Sequence, residues 1–310
     1  MSDLFTLPVL LGIIYSGIRL ATPYLFAAIG ETFAQASGVF NLGVEGIMLM
    51  GAFSGFYTVT QTGSLWLGIL VAAGVGLLLG LLMAFVSVTL KAEQGISGIG
   101  LSLFGLGLSS LLFERSVTTL TSINGFQPVR IPLLGSIPYI GDTFFNHSWL
   151  VYIAFLLVPL GAYVFNHTTL GLKIRAVGQH PEAADSVGIS VVKIRYLTVA
   201  FGGLMAGIAG ASLPLALVNL FQENMTNGMG YIAVALVYFG GWRPAGVLGG
   251  SLLFSFVNAF QLWMQVKGVK IPSNIALMMP YVLTILALSF AVNRARQPAA
   301  LDKPFERGEN

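Results

Sequence analysis

From Gly46 to Leu90 the chain runs for 45 residues without an Asp, Glu, Lys or Arg. A membrane-spanning helix needs about 20 consecutive apolar residues, so this run has room for two. Tyr196–Gln222, Pro244–Val266 and Ile271–Asn293 are equally free of charge and have room for about one each. Composition agrees: 55% of the 310 residues are hydrophobic and 9% are charged, with a mean hydropathy of +0.83. An average soluble domain carries about 25% charged residues, and a soluble fold cannot keep this much apolar surface from water. A soluble enzyme, a disordered chain and a nucleic-acid binder are therefore excluded, and the bilayer is the solvent that suits the chain. The absence of cysteine removes disulfides, thiolate catalysis and Cys-ligated zinc. The start Met1-Ser2-Asp3 lacks the basic stretch of a cleavable signal peptide.

The pattern predicts an all-α, polytopic transmembrane helical bundle of about 9–10 spans. The spans are read at Leu20–Gln35, Val44–Thr60, Leu65–Leu90, Ile96–Phe113, Ser148–Phe165, Tyr196–Leu217, Met229–Gly240, Ala245–Val266 and Pro272–Val292. Leu4–Ile18 is either a tenth span or a helix lying at the membrane surface. Residues 1–293 form a single transmembrane domain, with a cytoplasmic loop at about 171–195 and a polar, mobile tail at 294–310. Orientation follows from the basic residues. With that loop inside, Lys91, Lys173, Arg175, Lys193, Arg195, Arg243, Arg294, Arg296, Lys303 and Arg307 are cytoplasmic. Arg19, Arg115, Arg130, Lys267 and Lys270 are then outside, and the C-terminus is cytoplasmic. Glu114–His147, interrupted by Pro128, Pro132 and Pro138, reads as an outside loop with little regular structure. Four small-xxx-small pairs, Gly51/Gly55, Gly76/Gly80, Gly203/Gly207 and Gly246/Gly250, predict close helix packing within the chain.

Catalytic patterns are missing. There is no Gly-x-x-x-x-Gly-Lys and hence no P-loop, no His-Glu-x-x-His and no Gly-x-Ser-x-Gly. His147, His167 and His180 read as solvated loop residues rather than metal ligands. At or near membrane depth only Glu31, Glu45 and Glu223 are ionisable, a thin basis for a proton relay. The chain is not an enzyme on this reading. It is a passive channel, a carrier, or a subunit whose energy comes from elsewhere.

Three stretches hold the remaining information. Gly38–Gly46 reads as a glycine-rich break between two helices near the cytoplasmic side. Within it Asn41 and Glu45, four residues apart, either line a cavity or pin the break, or, in the case of Glu45, cap the positive end of the next helix. In Gly171–Gly188, Pro181 suits a first helical position and Glu182 the positive end, and Gly188 suits the stop. This predicts a two-turn helix over Pro181–Val187, kept low by Ala183 and Ala184, as either a plug for a partner's groove or an ordinary polar loop. Phe221–Gly230 is polar and placed outside, ahead of a 12-residue apolar segment, Met229–Gly240. That segment is short for a span and suits a broken or re-entrant helix beside a cavity.

Together these stretches resemble the permease subunits of bacterial ABC importers, the branch serving ribose and other simple sugars, branched-chain amino acids and nucleosides. The residues that carry the resemblance are Gly38-Val-Phe-Asn41-Leu-Gly43-Val-Glu45-Gly46, Gly171 to Ile189 with Arg175, Gly178, Pro181, Ala183, Ala184 and Gly188, and Glu223-Asn224-Met225-Thr226-x-Gly228-x-Gly230. The first and last look most like nucleoside permeases. The resemblance implies a multi-pass protein of the bacterial plasma (inner) membrane that forms half of a translocation pore. It implies that Gly178, Pro181, Glu182, Ala183, Ala184 and Gly188 belong to a coupling helix that docks on a separate ATP-binding subunit. That subunit would hold ATP and Mg, and this chain no cofactor. A second permease chain and an extracellular substrate-binding protein complete the implied assembly. Asn41, Glu45, Asn224 and Asn258 are candidates to face the substrate path. A simple-sugar permease is the alternative within the branch, and an autonomous secondary carrier or channel the alternative outside it.

Overall fold

The computed structural model describes residues 6–116, 122–132, 134–266 and 297–306, together with Met278, Val282, Ile285 and Leu286. The expected span Pro272–Val292 lies almost wholly outside the described residues. The helices are α1 (Leu7–Ala36), α2 (Val44–Thr62), α3 (Leu65–Ala84), α4 (Gln94–Ser116), α5 (Ile140–Phe144), α6 (Trp149–His167), α7 (Thr169–Gln179), α8 (Pro181–Ser186), α9 (Val191–Ser212), α10 (Met229–Phe239) and α11 (Pro244–Val266). Two short strands, β1 (Val129–Arg130) and β2 (Asn146–His147), pair antiparallel. Among the described residues six helices are long and apolar enough to cross a membrane: α1, α3, α4, α6, α9 and α11.

Helix α1 corrects the reading of the N-terminal segment. Its 30 residues are continuous, so the stretch before Arg19 is neither a separate span nor a surface helix. At 1.5 Å per residue it is about 45 Å long. Arg19 does not end it, because its guanidinium donates to the Ala216 carbonyl (3.1 Å) and lies over the Tyr15 ring. The α2–α3 hairpin is set locally: Gly63 at φ 70° ends α2, and the Ser64 side chain caps α3 by accepting from the Leu67 amide.

The hub is α9. Of its most apolar stretch 83% is buried, against 28% for α4. The glycine pairs explain how it is enclosed. A Cβ on Gly51 would run into the Gly207 backbone, and one on Gly203 into Gly76 and Gly80. Three of the four pairs thus let α2, α3 and α9 meet backbone to backbone, as expected of packing within one chain. The fourth serves a turn, with Gly246 against Gly240 where α10 leads into α11.

Helices α3 and α9 each end in one π-helical turn, Phe85–Thr89 and Leu213–Leu217. Pro214 has no N–H to donate, which favours the widened turn. The carbonyls beyond it find other donors: Leu215 accepts from the Phe126 amide (2.7 Å) and Ala216 from Arg19.

Between α4 and α6, residues 122–132 and 134–147 hold more regular structure than expected. They include the β1–β2 pair and α5, and Arg130 joins these parts through the Gly135 carbonyl (2.8 Å) and Asp142 (3.0 Å). His147 is not solvated. It is 1% exposed, stacks on Tyr15 at 4.7 Å, and shares a hydrogen bond with the Thr143 carbonyl. Burial, and secondarily the charge of Arg19, push its pKa below the ordinary 6.5. His167 and His180 are exposed. The tail also departs from expectation: over residues 297–306 it packs against the bundle, with Ala300 and Leu301 buried.

Candidate functional site

The break after α1 is held by buried polar groups. The Asn41 amide donates to Glu31 Oε1 (3.1 Å), so the chain doubles back beside the last turns of α1. Asn41 Oδ1 accepts from the Gly43 amide (2.8 Å), a local turn that sets the start of α2. Gln35 donates to Glu31 and accepts from the Trp242 indole (2.9 Å), tying α1 to the turn between α10 and α11. Gln94, at the start of α4, accepts from the Phe40 amide (2.7 Å).

Glu45 lies one turn further, in the first turn of α2, and is 5% exposed. Its Oε1 accepts from the Thr226 hydroxyl (2.5 Å) and the Gly228 amide (2.8 Å), and its Oε2 from the Gly230 amide (2.6 Å). The amides belong to the N-terminus of α10. One carboxylate therefore serves the positive ends of two helices, the place where a dipole favours an anion. Glu45 sits in the first turn of α2 but makes no capping hydrogen bond to that helix; its hydrogen bonds go to the start of α10, a helix nothing in the sequence pairs with it. Asn41 and Glu45 are not one constellation: the first bonds with α1, the second with α10.

This joint fixes the start of α10 against α2. Phe221 packs on Phe53 and Phe56 of α2, and Gly228 reaches Glu45. Residues 218–228 thus run back along α2, from Phe53 and Phe56 toward Glu45, instead of staying at the bundle's end. Asn224 (φ 53°), Asn227 (φ 42°) and Gly228 (φ 83°) make the turn with left-handed backbone. With 11 residues, α10 spans about 16 Å, half of a ~30 Å hydrocarbon core. It is too short to cross that core by itself. Thr226 is buried in the joint, while Gln222, Glu223, Asn224 and Asn227 are exposed around it.

Asn258 is half-buried on α11. Its neighbour Phe256 packs at Gly17, 14 residues before Glu31 along α1, or roughly 20 Å. The structure does not bring it to the joint. Sequence reasoning missed Gln35, Gln94, Trp242 and Thr226. Gln35 had a signal, four residues after Glu31 on the same helix face, and Thr226 stood in the Glu223–Gly230 stretch that carries the family resemblance without being singled out.

The second candidate is the α7–α8 loop. Thr168 caps α7 by accepting from the Gly171 amide (3.2 Å). Gly178 is buried, and a Cβ there would strike the Ala36 carbonyl, so α7 lies directly on the end of α1. Pro181 begins α8, and Gly188 at φ 86° follows its end, close to the expected Pro181–Val187. The faces differ from a uniformly low plug. Pro181 and Ala184 are buried, with Ala184 against Val177 and Val191. The outward face is Glu182, Ala183, Ser186 and Val187, and Val187 is 74% exposed. Among the described residues no three His, Cys, Asp or Glu cluster as a metal site would require.

Residues 13–288 match a family described as branched-chain amino acid transport system, permease component. The chain is 39% identical to a Haloferax volcanii ABC transporter permease provisionally named for glucose, covering 96% of this chain and 98% of that one. It is 35% identical to a nucleoside ABC transporter permease of Lactococcus lactis (90% and 92% covered) and 34% identical to a guanosine ABC transporter permease of Bacillus subtilis (93% and 94% covered). No solved structure matches it. A match along nearly the whole chain, and a helical bundle with six helices able to cross a membrane, lead to one conclusion. The chain belongs to this family of ABC transporter permeases and is a multi-pass membrane transport component rather than an enzyme.

Proposed function

We propose that this chain forms half of the translocation pore of an ATP-driven importer of nucleosides. The observation that carries the reading is the polar turn hung on Glu45 at the head of α10. It offers Gln222, Asn224 and Asn227 as exposed amides beside a broken helix, the kind of element on which transporters bind solutes. The anion position at the helix ends is already filled by Glu45, which suits an uncharged cargo held by amides, backbone and aromatic faces. The relatives named for nucleosides and guanosine support the same substrate class. Asn41 and Glu45 act on this path by fixing the break, and Asn224 by facing the solute. The relative named for glucose favours a second reading, a simple-sugar permease with the same architecture.

The energy comes from a separate ATP-binding subunit that holds ATP and Mg. It docks on α8 through Glu182, Ala183, Ser186 and Val187. Gly178, Pro181, Ala184 and Gly188 fix that helix to the bundle. A second permease chain completes the pore, and an extracellular binding protein delivers the solute. The α8 side and the C-terminus face the cytoplasm of a bacterial cell, as the basic residues on that side favour. ATP-driven closure of the partner subunits moves the docked helices as rigid bodies. Release follows only if the two states bind the solute differently. The test is ATP-dependent uptake by the assembled complex in liposomes, with radiolabelled guanosine and glucose competed against each other. Guanosine uptake that glucose does not reduce supports the nucleoside reading. Glucose uptake alone replaces it with the sugar reading.

A further inference from the structure

Residues 297–306 touch α7, the break, the start of α9 and the Lys91 turn at the α8 end of the bundle. The Ala300 amide donates to the Gly178 carbonyl at the end of α7 (2.9 Å). The Asp302 amide donates to the Gly38 carbonyl in the break (3.2 Å). Between them lies Arg195, 1% exposed at the start of α9. Its Nε donates to the Ser37 carbonyl (3.2 Å) and its Nη1 to the Lys303 carbonyl (3.0 Å), so one guanidinium holds the break on one side and the tail on the other. Phe305 then packs beside Val177, Ala184 and Val191, the cluster that seats α8. Glu306 closes the segment with an ion pair to Lys91, between α3 and α4 (2.6 Å).

We propose that residues 297–306 are a strap that carries movement of α8 to the α1–α2 break, with Arg195 as its pin. Helix α8 is a six-residue helix between loops, and alone it would yield when pushed. A buried arginine donating to backbone carbonyls, which lose far more than a surface contact if parted, leaves the tail, α7 and the break little freedom to move apart. Helix α7 is already pressed on Ala36 through Gly178, so the strap closes a loop of contacts around the break. Movement of α8 then arrives at Gly38 and Asn41, and through α2 at Glu45. This rests on α8 being the docking helix.

The test uses the assembled permease and ATP-binding subunit in liposomes, with uptake and ATP hydrolysis measured together. Phe305→Ser removes a half-buried contact, and a chain ending at Arg296 removes the strap. Both are expected to keep the ATP-binding subunit and its hydrolysis while uptake per ATP falls about tenfold. Unchanged uptake per ATP in both would overturn the proposal, as would loss of the subunit itself, which would make the strap part of the docking surface only. Hydrogen exchange of the Phe305→Ser chain in detergent gives a readout independent of transport and of the docking reading. Faster exchange across residues 38–43, with α9 unchanged, is expected. Exchange equal to that of the unaltered chain would contradict the strap.

Discussion

At the scale of the residue, Glu45 does what neither of its sequence readings required alone. A carboxylate has two oxygens and accepts readily from charged or polar donors. Here three donors from one turn fill them, two of them backbone amides of α10. Glu45→Gln replaces one acceptor oxygen with an NH2 that faces a donor. A hydrogen bond to a charged group contributes about 1.5–3 kcal/mol, and the melting temperature in detergent is expected to fall together with uptake. A variant that melts with the unaltered chain would show that the joint contributes nothing. His147 carries a pH dependence. Its pKa is lowered in the folded chain, so below the ordinary 6.5 the unfolded chain binds the proton that the folded chain refuses. That contribution is complete above 6.5 and is lost as pH falls beneath it. His147→Phe keeps the stack on Tyr15 and is expected to flatten the decline of melting temperature between about pH 6.5 and 5. Glu45 was legible because a lone carboxylate beside a charge-free run is conspicuous. Thr226 was not, because no spacing rule reaches across the 181 residues that separate the pair. His147 was misread for a similar reason: a loop position suggests solvent, and the fold alone brings Tyr15, Thr143 and Tyr152 around it.

At the scale of the element, hydropathy placed the helices well, because a lipid-spanning helix must be apolar over a length the bilayer sets. Observed ends for α2, α4, α6 and α11 lie within three residues of the reading. What failed was continuity. Arg19 looked like the end of a segment, yet a carbonyl freed by the π turn at Pro214 satisfies it inside the bundle. The same limit applies to the tail, whose polar composition suggested mobility although its backbone groups bond to α7 and the break. Glycine spacing was a better guide, since a backbone-to-backbone contact tolerates only the smallest residue. Gly207→Leu at the crossing of α2, α3 and α9 forces those backbones apart. Overpacking typically costs about 1–3 kcal/mol, and the folded yield after detergent extraction is expected to drop sharply. Gly74→Leu, where a Cβ meets nothing within 4 Å, serves as the comparison and is expected to leave yield unchanged. Equal yields of the two would contradict the packing account.

At the scale of the whole molecule, the bundle has a rigid centre in α9 and two places built from irregular backbone. One is the break and the turn into α10, joined by Glu45, and the other is the α7–α8 loop. The break meets α7 at Gly178 and the tail at Gly38, so the two places are in contact. A transporter powered from outside needs such a connection, because a solute site responds only if the powered surface moves with it. Helix α8 was legible from Pro181 and Gly188, which mark its ends by backbone chemistry. Its orientation was not: Ala183 and Ala184 look alike in sequence, and only the fold turns Ala184 inward and leaves Ala183 outward. That difference gives the most direct test. The complex is purified in mild detergent through a tag on this chain, unaltered or carrying Ala183→Arg, and the ATP-binding subunit retained is quantified. The unaltered chain is expected to bring the subunit with it, and Ala183→Arg to lose it while melting at the same temperature. An Ala183→Arg chain that holds the subunit as firmly as the unaltered one would contradict the docking of α8.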